Sequence, residues 1–293
     1  MNLLDGKLTS AAIKDQIANQ VRQFTAKGLR PPHLAAILVG DDGASQTYVA
    51  NKEKSSHEVG FTSSVYRYSA NTSEEELLRA IDFLNNDDDI DGFIVQLPLP
   101  KQINEQKVIN AISPDKDVDG FTPINIGHMV LGEDAFIPAT PMGICSLLEH
   151  YNIETEGRHC VVIGRSNIVG TPVANLLSRN RKGANCTVTI CHSRTRNLAQ
   201  ITRQADILIV AIGKPEFVTA DMVKPDAVLV DVGIHRIPDA SKKSGYRIIG
   251  DVKHSEVDSL CSWVTPVPGG VGPLTIVSLL QNTLKAYCKR FSL

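Results

Sequence analysis

Residues 160–177 constrain the fold of this chain more than any other stretch, because they combine a strand, a glycine-rich turn and a helix in that order. The run 160–163 is wholly apolar, the turn extends to Gly170, and the helix follows. A helix that begins directly after such a turn can hold a dinucleotide pyrophosphate at its N-terminus. The turn departs from G-x-G-x-x-G spacing, because Ser166 takes the second glycine position and the last glycine is displaced by one residue.

Strands and helices continue to alternate after this motif. Apolar runs predict strands at 186–191, 206–210 and 227–232, each followed by a short helix or a loop. Alternation of this kind is typical of a parallel sheet covered by helices. The sequence therefore predicts a Rossmann-like domain.

The second strand of this domain ends without a carboxylate. Rossmann-like domains that bind NAD normally place an acid there, which binds the ribose hydroxyls. Here His192, Ser193 and Arg194 follow the strand, and Arg165 follows the first glycine of the turn. These guanidinium, hydroxyl and imidazole groups suit a 2′-phosphate, so the sequence predicts NADP as the cofactor.

Two later strand ends, residues 211–215 and 231–234, supply glycine where the nicotinamide half needs a close backbone approach. Glycines after strands are also common turn residues, and that alternative stays open. The predicted cofactor-binding residues are Thr140, Gly164, Arg165, Ser166, Val169, Gly170, His192, Ser193, Arg194, Gly213, Lys214, Gly233 and Ile234.

The N-terminal half contains the one proton-transfer pair that the sequence offers. Residues 34–39 predict a buried strand and residues 45–59 a helix closed by Gly60. Tyr48 and Lys52 lie four residues apart on that helix, so both project from one face, near the sheet edge where ligands bind. The alternative is that Lys52 belongs to a solvated charged face.

Two further polar positions stand out in this half. Residues 92–100 predict a buried strand that ends in two prolines, and Gln96 is its polar exception, which either satisfies backbone groups or holds a ligand or a catalytic amine. Asp115, Asp117 and Asp119 fall within five positions, a spacing similar to calcium loops but without the glutamate at position 12. An acidic turn explains all three, and Asp119 beside a glycine is the carboxylate that a tight backbone can turn inward.

Proline and glycine mark two domain joints. Thr140 is predicted to cap a helix whose first residue is Pro141, and residues 265–275 form a rigid loop that opens a final helix. Such a loop is a hinge, a linker or one wall of a ligand site. The predicted domains are residues 1–139 with 273–293, and residues 140–272.

The composition excludes several classes of protein. The chain has 293 residues, a net charge of −2 and a pI near 6.4, so neither nucleic acid nor anionic lipid is an expected partner. No apolar run reaches the roughly 18 residues of a membrane span, and no leader is evident, which predicts a cytoplasmic protein. The six cysteines lack a C-x-x-C pair and the eight histidines lack H-E-x-x-H spacing, so no disulfide framework and no metal site are predicted.

Six motifs in order resemble the bifunctional methylenetetrahydrofolate dehydrogenase/methenyltetrahydrofolate cyclohydrolase family, and the resemblance covers essentially the whole chain. They are Tyr48-x-x-x-Lys52, Val95-Gln-Leu-Pro-Leu-Pro100, Asp115-Lys-Asp-Val-Asp119-Gly-Phe, Pro138-Ala-Thr-Pro-Met-Gly143, Gly164-Arg-Ser-x-x-Val-Gly170-x-Pro172 and Pro266-Val-Pro-Gly-Gly-Val-Gly-Pro273. Residues 178–185 form a longer spacer than the family pattern.

The resemblance implies a fold of two α/β domains with a folate cleft between them. These are an N-terminal catalytic domain, to which the C-terminal helix returns, and the Rossmann-like NADP-binding domain. It also implies a homodimer whose substrates are tetrahydrofolate derivatives. NADP⁺ takes a hydride from 5,10-methylenetetrahydrofolate, and water then opens the methenyl cation to 10-formyltetrahydrofolate.

The resemblance also implies roles for individual residues. Lys52 is the principal catalytic amine, Tyr48 and Gln96 orient it and the folate, and Asp119 binds the pterin ring. A lysine in a partly dry cleft beside a cationic substrate favours its neutral form, in which it can act on water. The remaining implied substrate-binding residues are Leu97, Pro98, Pro268, Gly272 and Pro273.

Three alternatives remain open. A relative with only one of the two activities, or one that favours NAD⁺, has the same motifs. Another NADP dehydrogenase, of the amino-acid or shikimate type, explains the Rossmann-like half but not the Gln96 motif or the final glycine-proline loop. A non-catalytic dinucleotide-sensing protein needs the Gly164 to Gly170 turn, but it does not need Lys52 and Asp119 together.

Overall fold

Strands and helices alternate along the computed structural model, which describes residues 1–242 and 245–293. In chain order the elements are β1 (Asn2–Leu3), α1 (Gly6–Ala26), β2 (His33–Val39), α2 (Gly43–Glu58), β3 (Thr62–Tyr68), α3 (Glu74–Asn86), β4 (Gly92–Val95), α4 (Glu105–Ala111), α5 (Pro123–Leu131), α6 (Ala139–His150), β5 (His159–Ile163), α7 (Gly170–Ser178), β6 (Thr187–Cys191), α8 (Leu198–Thr202), β7 (Ile207–Val210), β8 (Val228–Asp231), β9 (His235–Pro238), β10 (Tyr246–Ile249), α9 (His254–Val257), β11 (Trp263–Val264) and α10 (Val271–Phe291). Short 3₁₀ helices span Ala220–Met222 and Asp258–Leu260.

The chain forms two compact units. The three-stranded unit comprises Ala11–Ala139 and Ile276–Leu293, and the six-stranded unit comprises Met1–Ser10 and Thr140–Thr275. The sequence placed residues 1–139 together, so Met1–Ser10 differ from that expectation. They join the six-stranded unit because β1 pairs in parallel with β11, a pairing of two-residue strands.

β2 is the central strand of the three-stranded unit, whose parallel sheet has the order β3-β2-β4. Residues 34–39 of β2 and all of β4 are buried, as expected for apolar strands covered on both faces. The chain passes from β2 to β3 on one side and returns to β4 on the other. The carboxyl end of β2 is therefore a switch point of the sheet, and α2 begins just beyond it.

α10 packs into the core of the three-stranded unit. The last helix thus returns to this unit, as the family resemblance implied. The Asn282 side-chain amide donates hydrogen bonds of 2.8 Å to the carbonyl oxygens of Val118 and Ile137. The Tyr287 hydroxyl donates to the carbonyl oxygen of Arg30 at 2.7 Å. Both side chains are on the buried face of the helix.

All strands of the larger sheet are parallel, in the order β1-β11-β8-β7-β5-β6. The chain runs from β5 to β6 on one side and then crosses to β7 on the other side of β5. This places a second switch point at the carboxyl end of β5. A two-stranded antiparallel pair, β9 with β10, lies outside this sheet.

Helix starts show which local signals hold. The Ser73 hydroxyl accepts the backbone N–H of Glu76 at 3.1 Å and so caps the start of α3. The predicted cap at Thr140 is wrong, because α6 already begins at Ala139. The Thr140 hydroxyl instead lies 3.0 Å from that of Thr275.

Within the described residues, no helix is both long enough and apolar enough to cross a membrane.

Candidate active site

Lys52 lies on the buried face of α2, with only 5% of its surface exposed. The buried positions Val49, Lys52 and Ser56 recur at spacings of three and four, so they form one stripe of the helix. Its neighbour Lys54 is exposed. The solvated-face alternative therefore holds for Lys54 and not for Lys52.

Gln96 brings the end of β4 to the amine of Lys52. Its backbone N–H donates to the carbonyl oxygen of Ile37 at 2.9 Å, which continues the pairing of β4 with β2 by one residue. Its side-chain amide donates to the carbonyl oxygen of Leu97 at 2.7 Å, and Oε1 accepts from Lys52 Nζ at 3.2 Å. Both alternatives raised for Gln96 hold, because it satisfies a backbone group and holds the amine.

Tyr48 covers the same amine from one turn earlier in α2. Lys52 Nζ lies 4.8 Å from the centre of the Tyr48 ring, within the range of a cation–π contact. The ring itself is half-buried. The predicted pair therefore meets at one point of the three-stranded unit.

The turn that presents Asp119 is built around the carboxylate of Asp117. Asp117 accepts the backbone N–H groups of Gly120 at 3.0 Å, Phe121 at 3.1 Å and Thr122 at 2.7 Å. Gly120 has a φ of +73°, and a Cβ there would lie 2.7 Å from the carbonyl oxygen of Phe136. Only glycine fits this corner, so the predicted tight backbone at Asp119 is real.

Burial moves the titration of the acid and the amine in opposite directions. Burial lowers the pKa of Lys52, and the nearby Asp119 carboxylate partly opposes this. Burial raises the pKa of Asp119 to about 6, which Lys52 opposes and Asp117 reinforces. An acid and a base whose pKa values approach neutrality in one place are typical of a catalytic site.

A second site, a cleft of about 280 Å³, lies at the carboxyl ends of β5, β6 and β7 in the six-stranded unit. Six predicted cofactor residues line it: Gly164, Arg165, Ser166, His192, Ser193 and Lys214. The other seven, Thr140, Val169, Gly170, Arg194, Gly213, Gly233 and Ile234, are not among its lining residues. The apolar walls include Leu198, Ile212 and Phe217. These residues were not predicted as cofactor contacts, because no polar signal in the sequence marks them.

The glycines of the turn let its backbone pack closely against neighbouring backbone. A Cβ on Gly164 would lie 2.2 Å from the carbonyl oxygen of Ala211, and one on Gly170 would lie 2.2 Å from that of Gly164. The Ser166 hydroxyl accepts the backbone N–H of Val169 at 3.1 Å, at the start of α7. A helix N-terminus, adjacent guanidinium and hydroxyl groups and apolar walls fit the phosphates and flat rings of NADP.

The substrate residues implied in the last loop belong to the six-stranded unit. Pro273 lies in the first turn of α10, and Pro268 precedes that helix. A Cβ on Gly272 would lie 3.3 Å from Ile234 Cδ1. A residue expected to line the folate pocket is thus next to one expected to bind the cofactor.

Two fully buried carboxylates, Asp231 and Asp251, were not singled out by the sequence. Both accept backbone N–H groups of the loops that follow β7 and β8. The only sequence signal for Asp251 is its place after Gly250 at the end of a short strand. Among the residues that the structure describes, no cluster of histidine, cysteine and acidic side chains could hold a metal ion.

The chain matches the two domain models of one protein family. Residues 4–119 match the catalytic domain of tetrahydrofolate dehydrogenase/cyclohydrolase, and residues 138–291 match its NAD(P)-binding domain. The bifunctional protein FolD of Porphyromonas gingivalis is 59% identical over 284 residues, which are 97% of this chain and 96% of that protein.

Two solved structures share the whole fold. The bifunctional FolD methylenetetrahydrofolate dehydrogenase/cyclohydrolase of Campylobacter jejuni has a TM-score of 0.92 at 47% identity, with 99% of each chain covered. The FolD enzyme of Trypanosoma brucei, complexed with NADP cofactor and inhibitor, has a TM-score of 0.92 at 35% identity, with 98% of this chain and 97% of that chain covered.

Proposed function

The chain belongs to the tetrahydrofolate dehydrogenase/cyclohydrolase family, and we propose that Lys52, Tyr48, Gln96 and Asp119 carry its chemistry. The enzyme oxidises 5,10-methylenetetrahydrofolate with NADP⁺ and hydrolyses the 5,10-methenyl product to 10-formyltetrahydrofolate. One observation carries the residue assignment. Lys52 is a buried residue with 5% of its surface exposed, burial lowers the pKa of its amine, and that amine lies 3.2 Å from Gln96 Oε1.

In the hydrolysis, Lys52 is the base. Water adds to the one-carbon bridge of the methenyl cation while the neutral amine takes a proton from it. The bond from the bridge carbon to N5 then breaks as the new hydroxyl group loses its proton to water and becomes the formyl carbonyl. N5 takes a proton back from the Lys52 ammonium group, and the formyl group stays on N10. Gln96 Oε1 holds the amine in either protonation state, because both forms have an N–H to donate.

In the oxidation, a low pKa at Lys52 serves a second purpose. When bound, NADP⁺ would supply the hydride acceptor. The organic product is a cation, and a neutral amine does not repel the charge that develops on it, whereas an ammonium group would. Tyr48 presents its ring to the same amine and restricts where it can move.

Asp119 is proposed to bind the pterin ring. A carboxylate can accept two parallel N–H donors, and the pterin offers a ring N–H beside an amino group. Its pKa of about 6 leaves the carboxylate mostly ionised at neutral pH, so it can accept both. The proposed substrate contacts also include Leu97, Pro98, Pro268, Gly272 and Pro273.

The six-stranded unit is proposed to bind NADP, and the three-stranded unit to carry the folate chemistry. Arg165 and Ser193 line the cleft, and they are proposed to bind the 2′-phosphate with Arg194, which follows Ser193. The absence of a carboxylate after β6 supports NADP over NAD.

A paired assay on the purified protein tests the function. The protein is given 5,10-methylenetetrahydrofolate and NADP⁺, and NADPH, methenyl and formyl products are followed together. NADPH with formyl product is expected. Accumulating methenyl product would leave a dehydrogenase alone. If neither product appears with NADP⁺ or NAD⁺, and methenyltetrahydrofolate offered directly is not hydrolysed, the function is wrong.

The protein is also proposed to be a cytoplasmic homodimer. The family resemblance supports the dimer, and the six free cysteines support a reducing compartment. Light scattering coupled to size exclusion measures the mass, and a value of one chain at micromolar concentration would contradict the dimer.

A further inference from the structure

The loop at residues 212–214 forms one wall of the dinucleotide cleft, and a single carboxylate holds its backbone. Asp251 Oδ2 accepts the N–H groups of Ile212 at 2.8 Å and Gly213 at 3.0 Å, and Oδ1 accepts that of Lys214 at 2.8 Å. His235 Nε2 donates to Oδ1 at 2.7 Å. Ile212 and Lys214 line the cleft together with His192 and Ser193, so the carboxylate bonds to the backbone of residues that form the cleft wall.

Asp251 is itself fixed by a second buried carboxylate. Its backbone N–H donates to Asp231 Oδ1 at 3.0 Å, and that of Val252 donates to Asp231 Oδ2 at 3.0 Å. Asp231 also accepts the N–H of Gly233 at 2.8 Å and lies 3.1 Å from His254 Nε2. The loops after β7 and β8 are thus held by two carboxylates. The two residues are linked, because the backbone N–H of Asp251 donates to the carboxylate of Asp231.

Glycines let these groups come so close. A Cβ on Gly250 would lie 1.8 Å from Asp231 Oδ2, and one on Gly233 would lie 2.6 Å from the Asp251 carboxyl carbon. Further along, the backbone N–H groups of Glu216 and Val218 donate to the carbonyl oxygens of Gly250 and Asp251 at 3.0 Å. The segment at 250–252 therefore accepts hydrogen bonds from the loop at 212–214 and from the residues that follow it, up to Val218.

A carboxylate at the other end of the sheet shows what a purely structural role looks like. Asp206 accepts the backbone N–H of His159 at 2.9 Å and the amine of Lys224 at 2.6 Å. It precedes β7, at the amino ends of the strands, away from the cleft at their carboxyl ends. Asp251 differs in being 0% exposed and in accepting three consecutive backbone N–H groups from the loop at residues 212–214.

We propose that Asp251 is a positioning residue for the dinucleotide, which fixes loop 212–214 as a preformed wall of the cleft and is aided by His235. This inference rests on the proposed function, because it assumes that NADP occupies the cleft. A preformed wall lowers the ordering cost of binding, so its loss weakens binding rather than slowing the chemical step.

The test compares Asp251→Asn with Asp206→Asn in the full-length protein. An amide at position 251 replaces one oxygen with an NH₂ group, so at least one backbone N–H of the loop loses its acceptor. Each loss of this kind is worth about tenfold in an equilibrium constant. The dissociation constant of NADP⁺ is measured by calorimetry, together with KM for NADP⁺, kcat and the unfolding midpoint.

Asp251→Asn is expected to raise the dissociation constant and KM for NADP⁺ by about tenfold while kcat changes much less. Asp206→Asn is expected to lower the unfolding midpoint and leave NADP⁺ binding unchanged. Unchanged NADP⁺ binding in folded Asp251→Asn, or an equal loss of binding in both variants, would overturn the positioning role. A fall in kcat with an unchanged KM would overturn it as well.

His235→Ala keeps the test decisive if Asp251→Asn does not fold, because it removes one donor and leaves the three backbone bonds. A few-fold weaker NADP⁺ binding supports the proposal, and unchanged binding overturns it. If the unmodified protein binds no NADP⁺, the proposed function fails first, and the two failures are thereby told apart.

Discussion

Lys52 and Asp119 form an acid–base pair whose buried setting moves both pKa values toward neutrality, down for the amine and up to about 6 for the carboxyl group. Each group opposes the effect of burial on the other. Removal of either side chain is therefore expected to change the pKa of the other group, so the two residues can be tested in separate variants.

Lys52→Met is expected to abolish cyclohydrolase activity and leave some hydride transfer. A general base contributes about 10²- to 10⁴-fold, and methionine keeps the volume of the side chain without the amine. Initial rates with methenyltetrahydrofolate measure the loss. The matched control is Lys54→Met, whose amine is on the exposed face of α2, 3.9 Å from Glu58. Equal cyclohydrolase rates in Lys52→Met and the parent would remove Lys52 from the mechanism.

The activity of the parent is expected to fall as the pH drops through about 6, because Asp119 then becomes protonated and cannot accept two pterin N–H donors. Asp119→Asn is expected to have a higher KM for the folate and to lack this acid limb. The pH dependence of kcat/KM for the folate shows both effects. An acid limb that persists unchanged in Asp119→Asn would assign it to another group.

Asp119 is also expected to cost stability above pH about 6. Its folded pKa lies above its ordinary value of 3.8, so the folded protein binds the proton more tightly than the unfolded chain does. Stability from this group is therefore lost as the pH rises from the ordinary value through the folded one. Asp119→Asn should raise the unfolding midpoint relative to the parent at neutral pH and not at pH near the ordinary value. A constant difference across that window would contradict the shift.

Arg165→Ala is expected to weaken NADP⁺ far more than NAD⁺, because only NADP⁺ carries the 2′-phosphate that the guanidinium is proposed to bind. A charge-assisted contact of this kind is worth about 1.5 to 3 kcal/mol, or roughly 10- to 100-fold. The two Michaelis constants, measured side by side, give the ratio. An equal change in both would place Arg165 outside the phosphate site.

Gly170→Ala is expected to impair NADP⁺ binding and to destabilise the protein. The new Cβ would lie 2.2 Å from the carbonyl oxygen of Gly164, so the turn and the start of α7 must separate. Gly127→Ala is the control, since a Cβ at Gly127 in α5 meets nothing within 4 Å and alanine favours a helix. Calorimetry with NADP⁺ and thermal unfolding measure both effects. Normal binding by Gly170→Ala would mean that the turn tolerates the displacement.

The sequence was informative where the signal is local. Apolar runs located β2 and β4, and the glycine pattern located the turn at Gly164. The family prediction is confirmed by matches over both halves of the chain, which the shikimate-type alternative does not explain.

The sequence was uninformative where the decisive contact is distant along the chain. Asp251 accepts hydrogen bonds from the backbone of residues 212–214, nearly forty positions earlier, and no neighbouring residue in the sequence indicates that role. β1 and β11 are two residues long and pair across most of the chain, so no periodicity marks them. The contact of Lys52 with Gln96 could not be predicted from α2, because Gln96 lies 44 positions later in the sequence.

The return of α10 to the three-stranded unit has a consequence for how the protein is made. Most of that unit leaves the ribosome first, but Asn282 and Tyr287, which bond to Val118, Ile137 and Arg30, are synthesised last. The six-stranded unit can therefore be complete while the earlier-made unit still lacks its final helix. Chains released after Thr275 but before Asn282 are expected to contain a finished cofactor-binding unit and an unfinished catalytic one.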